Sequence, residues 1–226
     1  MLHSGKNPDD ARLGPPAAGF IQKVTSHAEK AGLPFGNLAV DGGHIYDADA
    51  TKMQENRERR LRWPEIAGEL GVESVRVDAG GPEDMPDDVF KQIVEGYEET
   101  IDMAAKHKIE VLVENHWGPT PHPENVVRLM EAVKGLGLLF DTNNWAKGKQ
   151  AKGWIDCAKY ARATHVKALY WDEDGEEVSQ HIGHAIQLVK KADYDGVWGI
   201  ESVPRELDEY EGVRLSKALI EKYVNA

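Results

Sequence analysis

The feature that most limits what this chain can fold into is a rhythm. From about residue 20 onward, apolar runs of 4–7 residues alternate with longer stretches of helical spacing. The runs fall at 35–40, 74–77, 109–113, 137–140, 165–170 and 197–200. Several are near-continuous Val, Ile and Leu, as expected of strands buried on both faces. Between them, Val89, Phe90, Ile93, Val94, Tyr97, Ile101 and Ala104 make one helical stripe after the start signal Pro86-Asp87-Asp88. Val126, Val127, Leu129, Met130 and Val133 follow Pro123 and stop at Gly135, and Ile182, Ala185, Ile186 and Val189 repeat the pattern. Gly32, Gly71 and Gly196 each stand between a helix pattern and a strand, where a left-handed C-cap suits glycine. Strand–helix alternation means right-handed βαβ units and a parallel sheet. Residues 1–19, rich in Pro, Gly, Asp and Ala, read as an irregular N-terminal arm, and 20–226 as one domain with no linker. The cluster Arg57, Arg59, Arg60 and Arg62, interleaved with Glu55 and Glu58, reads as a solvated helix face.

Composition excludes several partners. Lys plus Arg is 27 and Asp plus Glu is 39, a formal charge of −12. Nucleic acid and anionic membrane both demand clustered positive charge, so neither is expected. No apolar run approaches the roughly 20 residues of a membrane span. The start shows no signal-peptide core, so with Met1 as the true start the expected location is the cytoplasm. The one cysteine, Cys157, excludes an internal disulfide framework.

Two architectures take many βα units: a doubly wound sheet and a (β/α)8 barrel. The nearest thing to a phosphate-cradling turn, Asp78-Ala79-Gly80-Gly81-Pro82, matches neither nucleotide motif. A barrel builds its site from polar residues at the C-terminal ends of several strands. That signature is present. Glu114 follows Val111-Leu112-Val113, Asp141 follows Leu138-Leu139-Phe140, His165 sits on the strand around 163–170, and Glu201 follows Val197-Trp198-Gly199-Ile200. Their spacings of 27, 24 and 36 residues are each close to one βα unit. Two Glu, one Asp and one His form an oxygen-rich set suited to Mn²⁺, Mg²⁺ or Co²⁺, and less specifically to zinc. Taken singly, Glu114 or Asp141 is as readily a helix N-cap, His165 a hydrogen-bonded core residue and Glu201 a surface residue. Four on successive strand ends favour a metal site.

At these residues the sequence resembles the sugar phosphate isomerase/epimerase group of the xylose isomerase-like TIM barrels. The matching stretches are Val-Leu-Val-Glu-Asn-His-Trp-Gly at 111–118, Gly-Leu-Leu-Phe-Asp-Thr-Asn-Asn at 137–144, His-Val-Lys-Ala at 165–168 and Tyr-Asp-Gly-Val-Trp-Gly-Ile-Glu at 194–201. The resemblance implies that Glu114, Asp141, His165 and Glu201 coordinate one divalent metal, with Glu114 and Glu201 as the acid/base pair. It also implies a small carbohydrate substrate. Proton abstraction beside a metal-polarised carbonyl would pass through an enediolate and return the proton to the opposite face or the neighbouring carbon. Lys167 and His116 match positions near the substrate. Lys167 is equally read as an ion-pair partner of a strand-end carboxylate, and His116 as a hydrogen-bonder behind the ligands. Asn144 stands where ketose 3-epimerases carry a His, which weakens that specific assignment and puts an amide on the substrate side. Trp117, Trp145 and Trp171 fall just beyond strand ends, as a wall for a sugar face or as packing under loops.

The resemblance also sets the strand count. The six strands correspond to strands 3 to 8 of the family's barrel, so the expected fold is an α/β TIM-type barrel lacking its first two βα units. Such a barrel would be incomplete or closed by a partner, and self-association into a homo-oligomer is expected from its open edge. A shortened barrel that binds metal or sugar without turnover is the main alternative. A dehydratase on the same site is another. An endonuclease IV-type DNA repair enzyme needs further histidines for three zinc ions; among the early strands only His44 is available, and no Asp precedes His181 and His184 at the required spacing.

Overall fold

The computed structural model describes residues 2–3, 18–33 and 35–225. Along the chain stand β1 (Leu2–His3), α1 (Ala18–Ala31), β2 (Asn37–Val40), α2 (Ala50–Arg60), α3 (Trp63–Leu70), β3 (Ser74–Val77), α4 (Asp87–Ala105), β4 (Glu110–Glu114) and α5 (Pro123–Ala132). There follow β5 (Leu136–Asp141), α6 (Gln150–Cys157), β6 (Ala161–His165), α7 (Gly183–Lys191) and α8 (Glu209–Val224). The fold is α/β of the TIM-barrel type, with six strands rather than eight among the described residues. Most of the expected N-terminal arm lies outside the described residues, but Leu2–His3 is a strand paired in parallel with Leu38 and Ala39.

The chain divides into two compact units, Met1–Val113 with Leu129–Gly137, and Glu114–Arg128 with Leu138–Ala226. In the first, β2 pairs in parallel with β3, and β3 with β4. The strands are buried on both faces: Leu38, Val40, Val75, Val77, Val111 and Val113 on one, and Ala39, Arg76 and Leu112 on the other. Each fully buried aliphatic side chain of this kind contributes about 1.5–3 kcal/mol. The α4 stripe packs as expected, with Val89, Ile93, Tyr97 and Ala104 buried and Phe90, Val94 and Ile101 at its margins. Asp87 and Asp88 in its first turn complement the helix dipole in the absence of a side-chain cap. α3 ends on Gly71 at φ 68°, a left-handed position that costs glycine nothing.

The arginine cluster departs from expectation. Arg60 is 3% exposed and donates to Thr100 Oγ1 at 3.1 Å and Glu99 Oε2 at 3.1 Å. Arg57 joins the same Glu99 carboxylate. Glu99 and Thr100 lie some forty residues away, so nothing near the cluster announces that one arginine turns inward and is satisfied there.

In the second unit, β5 and β6 pair in parallel, with Leu139 opposite Ala163, Phe140 opposite Thr164 and Asp141 opposite His165. The core is Leu138, Leu139, Phe140, Val166, Ala185, Ile186, Val189 and Leu219. The last two expected strands shift. The strand is Ala161–His165, not 165–170, because the Lys167 N–H donates to Thr142 Oγ1 at 3.0 Å instead of continuing the ladder. Residues 197–200 form only an isolated bridge between Val166 and Ile200. There the Gly199 N–H donates to the Thr164 hydroxyl at 3.0 Å, so a side chain replaces the strand backbone. In the preceding turn the left-handed residue is Asp193 at φ 59°, not Gly196.

Two consequences are measurable. The buried Tyr97 hydroxyl donates to the Val77 carbonyl at 2.8 Å. Tyr97→Phe should therefore cost about 1–3 kcal/mol in urea denaturation, the range for an unsatisfied buried acceptor. Cys157 is fully buried, and that burial pushes its thiol up to about 12. Because the thiolate is the nucleophile, an alkylating reagent at about pH 8 should leave the native thiol unmodified and label it fully in denaturant.

Candidate metal centre

Glu114, Asp141 and His165 are the last residues of β4, β5 and β6. Glu201 directly follows the bridge residue Ile200 and is held there by its N–H bonding to the Val166 carbonyl at 3.2 Å. Side-chain polarity at a strand's C-terminal end thus becomes convergence. One ligand atom from each of the four lies within 4.8 Å of the others. His165 Nδ1 is 3.0 Å from Glu114 Oε1, 3.0 Å from Glu201 Oε2 and 3.9 Å from Asp141 Oδ2. Atoms about 2.1 Å from a common ion stand about 3–4.2 Å apart, so these separations match a shared cation.

The electrostatics show how the cluster holds its charges. Glu114, Asp141 and His165 are essentially inaccessible, while the Glu201 side chain keeps 28% exposure. Burial pushes Asp141 up, the Lys167 ammonium opposes that and the Glu114 charge adds to it, leaving Asp141 at about 6. Burial also raises Glu201, but the hydrogen bond from His165 and the Lys167 charge outweigh it and bring Glu201 to about 2. The two carboxylates share Lys167 yet move in opposite directions because only Asp141 is wholly removed from water. Burial disfavours charge on His165, and the bonds to Glu114 and Glu201 overcome it, raising the ring to about 9. Asp141 Oδ2 is buried and accepts no hydrogen bond, although Lys167 Nζ lies 3.1 Å away. An oxygen-rich set with one imidazole nitrogen and a buried carboxylate oxygen already turned to a positive charge fits a divalent cation such as Mn²⁺, Mg²⁺, Co²⁺ or zinc.

The model of the xylose isomerase-like TIM barrel family matches residues 3–221. The chain belongs to that family. A 3-keto-D-glucoside 4-epimerase from E. coli superposes with a TM-score of 0.73 at 16% identity, covering 90% of this chain and 85% of that one. A family protein from Mycobacterium smegmatis in complex with magnesium gives 0.72 at 13% identity, covering 95% and 80%. The IOLI protein with a bound zinc atom gives 0.72 at 15% identity, covering 91% and 81%. No curated protein matches. No described helix is long and apolar enough to cross a membrane.

The remaining expected site residues of this xylose isomerase-like chain divide. Lys167 and Asn144 join the cluster. Lys167 Nζ is 3.1 Å from Glu201 Oε2 and donates to Asn144 Oδ1 at 3.0 Å, while Asn144 Nδ2 reaches Glu114 Oε1 at 3.4 Å. The ion-pair role weighed for Lys167 is therefore present. His116 is half-buried two residues past β4, with its N–H on Thr120 Oγ1 at 3.1 Å. Trp117 is 39% exposed, and Trp171 is half-buried in a bridge with Glu177. Trp145 is a packing residue, edge-on to Phe140 with centroids 5.9 Å apart.

Two further residues went unassigned in the sequence. Asn115 bonds the backbone of Asp141, and Thr142 ends the β6 ladder through Lys167. The one signal for either is adjacency to a ligand, Asn115 after Glu114 and Thr142 after Asp141.

Metal binding should follow pH in a stated direction. Without metal, His165 keeps its proton up to about 9, so at neutral pH a cation must displace it. Mn²⁺ affinity should strengthen by up to about tenfold per pH unit on going up from pH 6 and level off above pH 9, with proton release into a weak buffer. An affinity independent of pH over that range would contradict ligation through this nitrogen.

Proposed function

We propose that this protein is a divalent-metal-dependent isomerase or epimerase of a sugar or sugar-like polyol. The observation that carries the reading is the convergence of Glu114, Asp141, His165 and Glu201, three carboxylates and an imidazole within 4.8 Å. These four residues would hold the cation. When bound, it supplies the Lewis acidity that polarises a carbonyl and acidifies the neighbouring C–H.

The chain's own groups then divide the work. Glu114 Oε1 and Glu201 Oε2 both reach the same imidazole nitrogen at 3.0 Å, so two carboxylates stand at one locus. One removes the proton beside the carbonyl and the other returns a proton, to the opposite face for epimerisation or to the next carbon for isomerisation. Glu201 keeps partial exposure and Glu114 almost none, so their surroundings differ enough to separate the roles of acid and base. Asp141 has its Oδ1 bound by the Asn143 and Asn144 N–H groups at 2.6 and 2.9 Å, which fixes it as a pure ligand. Lys167 and Asn144 add an ammonium and an amide next to this locus, donors for the oxygen of an enediolate or a substrate hydroxyl. His116, Trp117 and Trp171 line the substrate side in this reading. Similarity to a sugar epimerase, to a xylose isomerase-like protein in complex with magnesium and to a protein with a bound zinc atom supports the assignment.

The test is proton exchange. Incubation with Mn²⁺ and a panel of ketoses and aldoses in deuterated water should place deuterium beside the carbonyl of at least one sugar. Glu201→Gln should reduce that exchange by about a hundred- to ten-thousandfold. A folded, metal-loaded sample that exchanges no sugar would sink the catalytic reading and leave a binding protein.

A further inference from the structure

Asp141 is held at more points than its role as a ligand requires. Its side-chain Oδ1 takes two backbone N–H groups, from Asn143 and Asn144. Its own backbone is then gripped by a single side chain from the neighbouring strand end. Asn115 Nδ2 donates to the Asp141 carbonyl at 2.9 Å, and Asn115 Oδ1 accepts the Asp141 N–H at 2.9 Å. Only one orientation of the amide satisfies both, since the reversed one would oppose oxygen to oxygen and nitrogen to nitrogen. The carboxamide therefore imitates a peptide unit facing β5, one residue past the end of β4.

The contact is fully buried, because Asn115 and Asp141 are both 0% exposed. Water cannot stand in for either bond, so losing the amide leaves two buried backbone groups unpaired. With N, O and Oδ1 of Asp141 committed, Oδ2 is the atom left to meet a cation, and it faces the Lys167 ammonium at 3.1 Å. Asn115 follows Glu114 directly, so one backbone step connects the grip on Asp141 to a second ligand. Geometry of this kind fixes two donors relative to each other before any ion arrives.

We infer that Asn115 is a positioning residue that sets the spacing of Glu114 and Asp141 and thereby the affinity of the four-residue set for a divalent cation. The inference rests on the metal reading proposed above. It acts through Asp141's backbone and needs no contact between Asn115 and the ion. Removing such a partner behind a ligand costs about 10–100-fold in metal affinity.

The experiment uses the full chain freed of metal by chelator, titrated calorimetrically with Mn²⁺. Asn115→Leu keeps the volume and removes both bonds, and Asn115→Ser, smaller and less disruptive, carries the test if the leucine variant does not fold. Ser216→Ala serves as the stability control: that hydroxyl is buried, donates to the Gly212 carbonyl at 2.8 Å and touches none of the four donors. The expected result is an Mn²⁺ Kd weakened about 10–100-fold in the Asn115 variant, with Ser216→Ala within about twofold of the parent. The metal-induced rise in melting temperature should shrink in the Asn115 variant alone, whatever each change does to the metal-free melting temperature. A folded Asn115 variant that binds Mn²⁺ within about threefold of the parent would overturn the positioning role while leaving the metal site standing. A parent protein that binds no Mn²⁺ would instead overturn the metal reading, and this inference with it.

Discussion

Three carboxylates gathered around one imidazole nitrogen, almost out of reach of water, is the arrangement on which the rest of the second unit depends. Like charges at this separation repel, and burial removes the solvent that would screen them. The protein holds them together with a proton on His165 and the ammonium of Lys167, both drawn to positions within about 3 Å of the carboxylates. A cation of charge two can take over that task and satisfy Asp141 Oδ2 as well. Ligand geometry and the ionisation of the ligands are thus one problem with one solution.

Buried charge in the first unit is handled differently. Arg76 meets Asp78 at 2.9 Å and Asp41 at 3.3 Å, and Arg60 meets Glu99 at 3.1 Å. Each of these guanidiniums finds a fixed carboxylate partner among the protein's own side chains. Such pairs orient structure and add little net stability once desolvation is counted. The candidate metal centre differs in geometry: one donor atom from each of Glu114, Asp141, His165 and Glu201 lies within 4.8 Å of the others.

Strand ends are the second recurring device. Where a ladder would continue, a side chain takes over: Asn115 on Asp141, Thr142 on Lys167, Thr164 on Gly199. Each puts a side-chain group where a ladder would have a backbone one, beside backbone bonds such as Val166 N–H to the Gly199 carbonyl at 2.8 Å. The same devices explain why the last two strands are shorter than their apolar runs suggest. An apolar run reports burial, and Val166 and Ala168 are buried without being in a strand.

The sequence by itself determined the α/β alternation, the α4 and α7 stripes, the glycine ends at residues 32, 71 and 135, and the polar side chains of Glu114, Asp141, His165 and Glu201 at their strand ends. All of these follow from local periodicity or from residue type at a strand end, which a one-dimensional pattern can express. What only the tertiary structure decided is which groups meet. The inward turn of Arg60 onto Glu99 and Thr100, the pairing of Asp141 with His165, the ammonium of Lys167 between two carboxylates and the grip of Asn115 on Asp141 all join residues 24 to 40 positions apart in the chain. Their identity is set by register between strands and by which elements pack together, and neither leaves a mark on the neighbouring sequence.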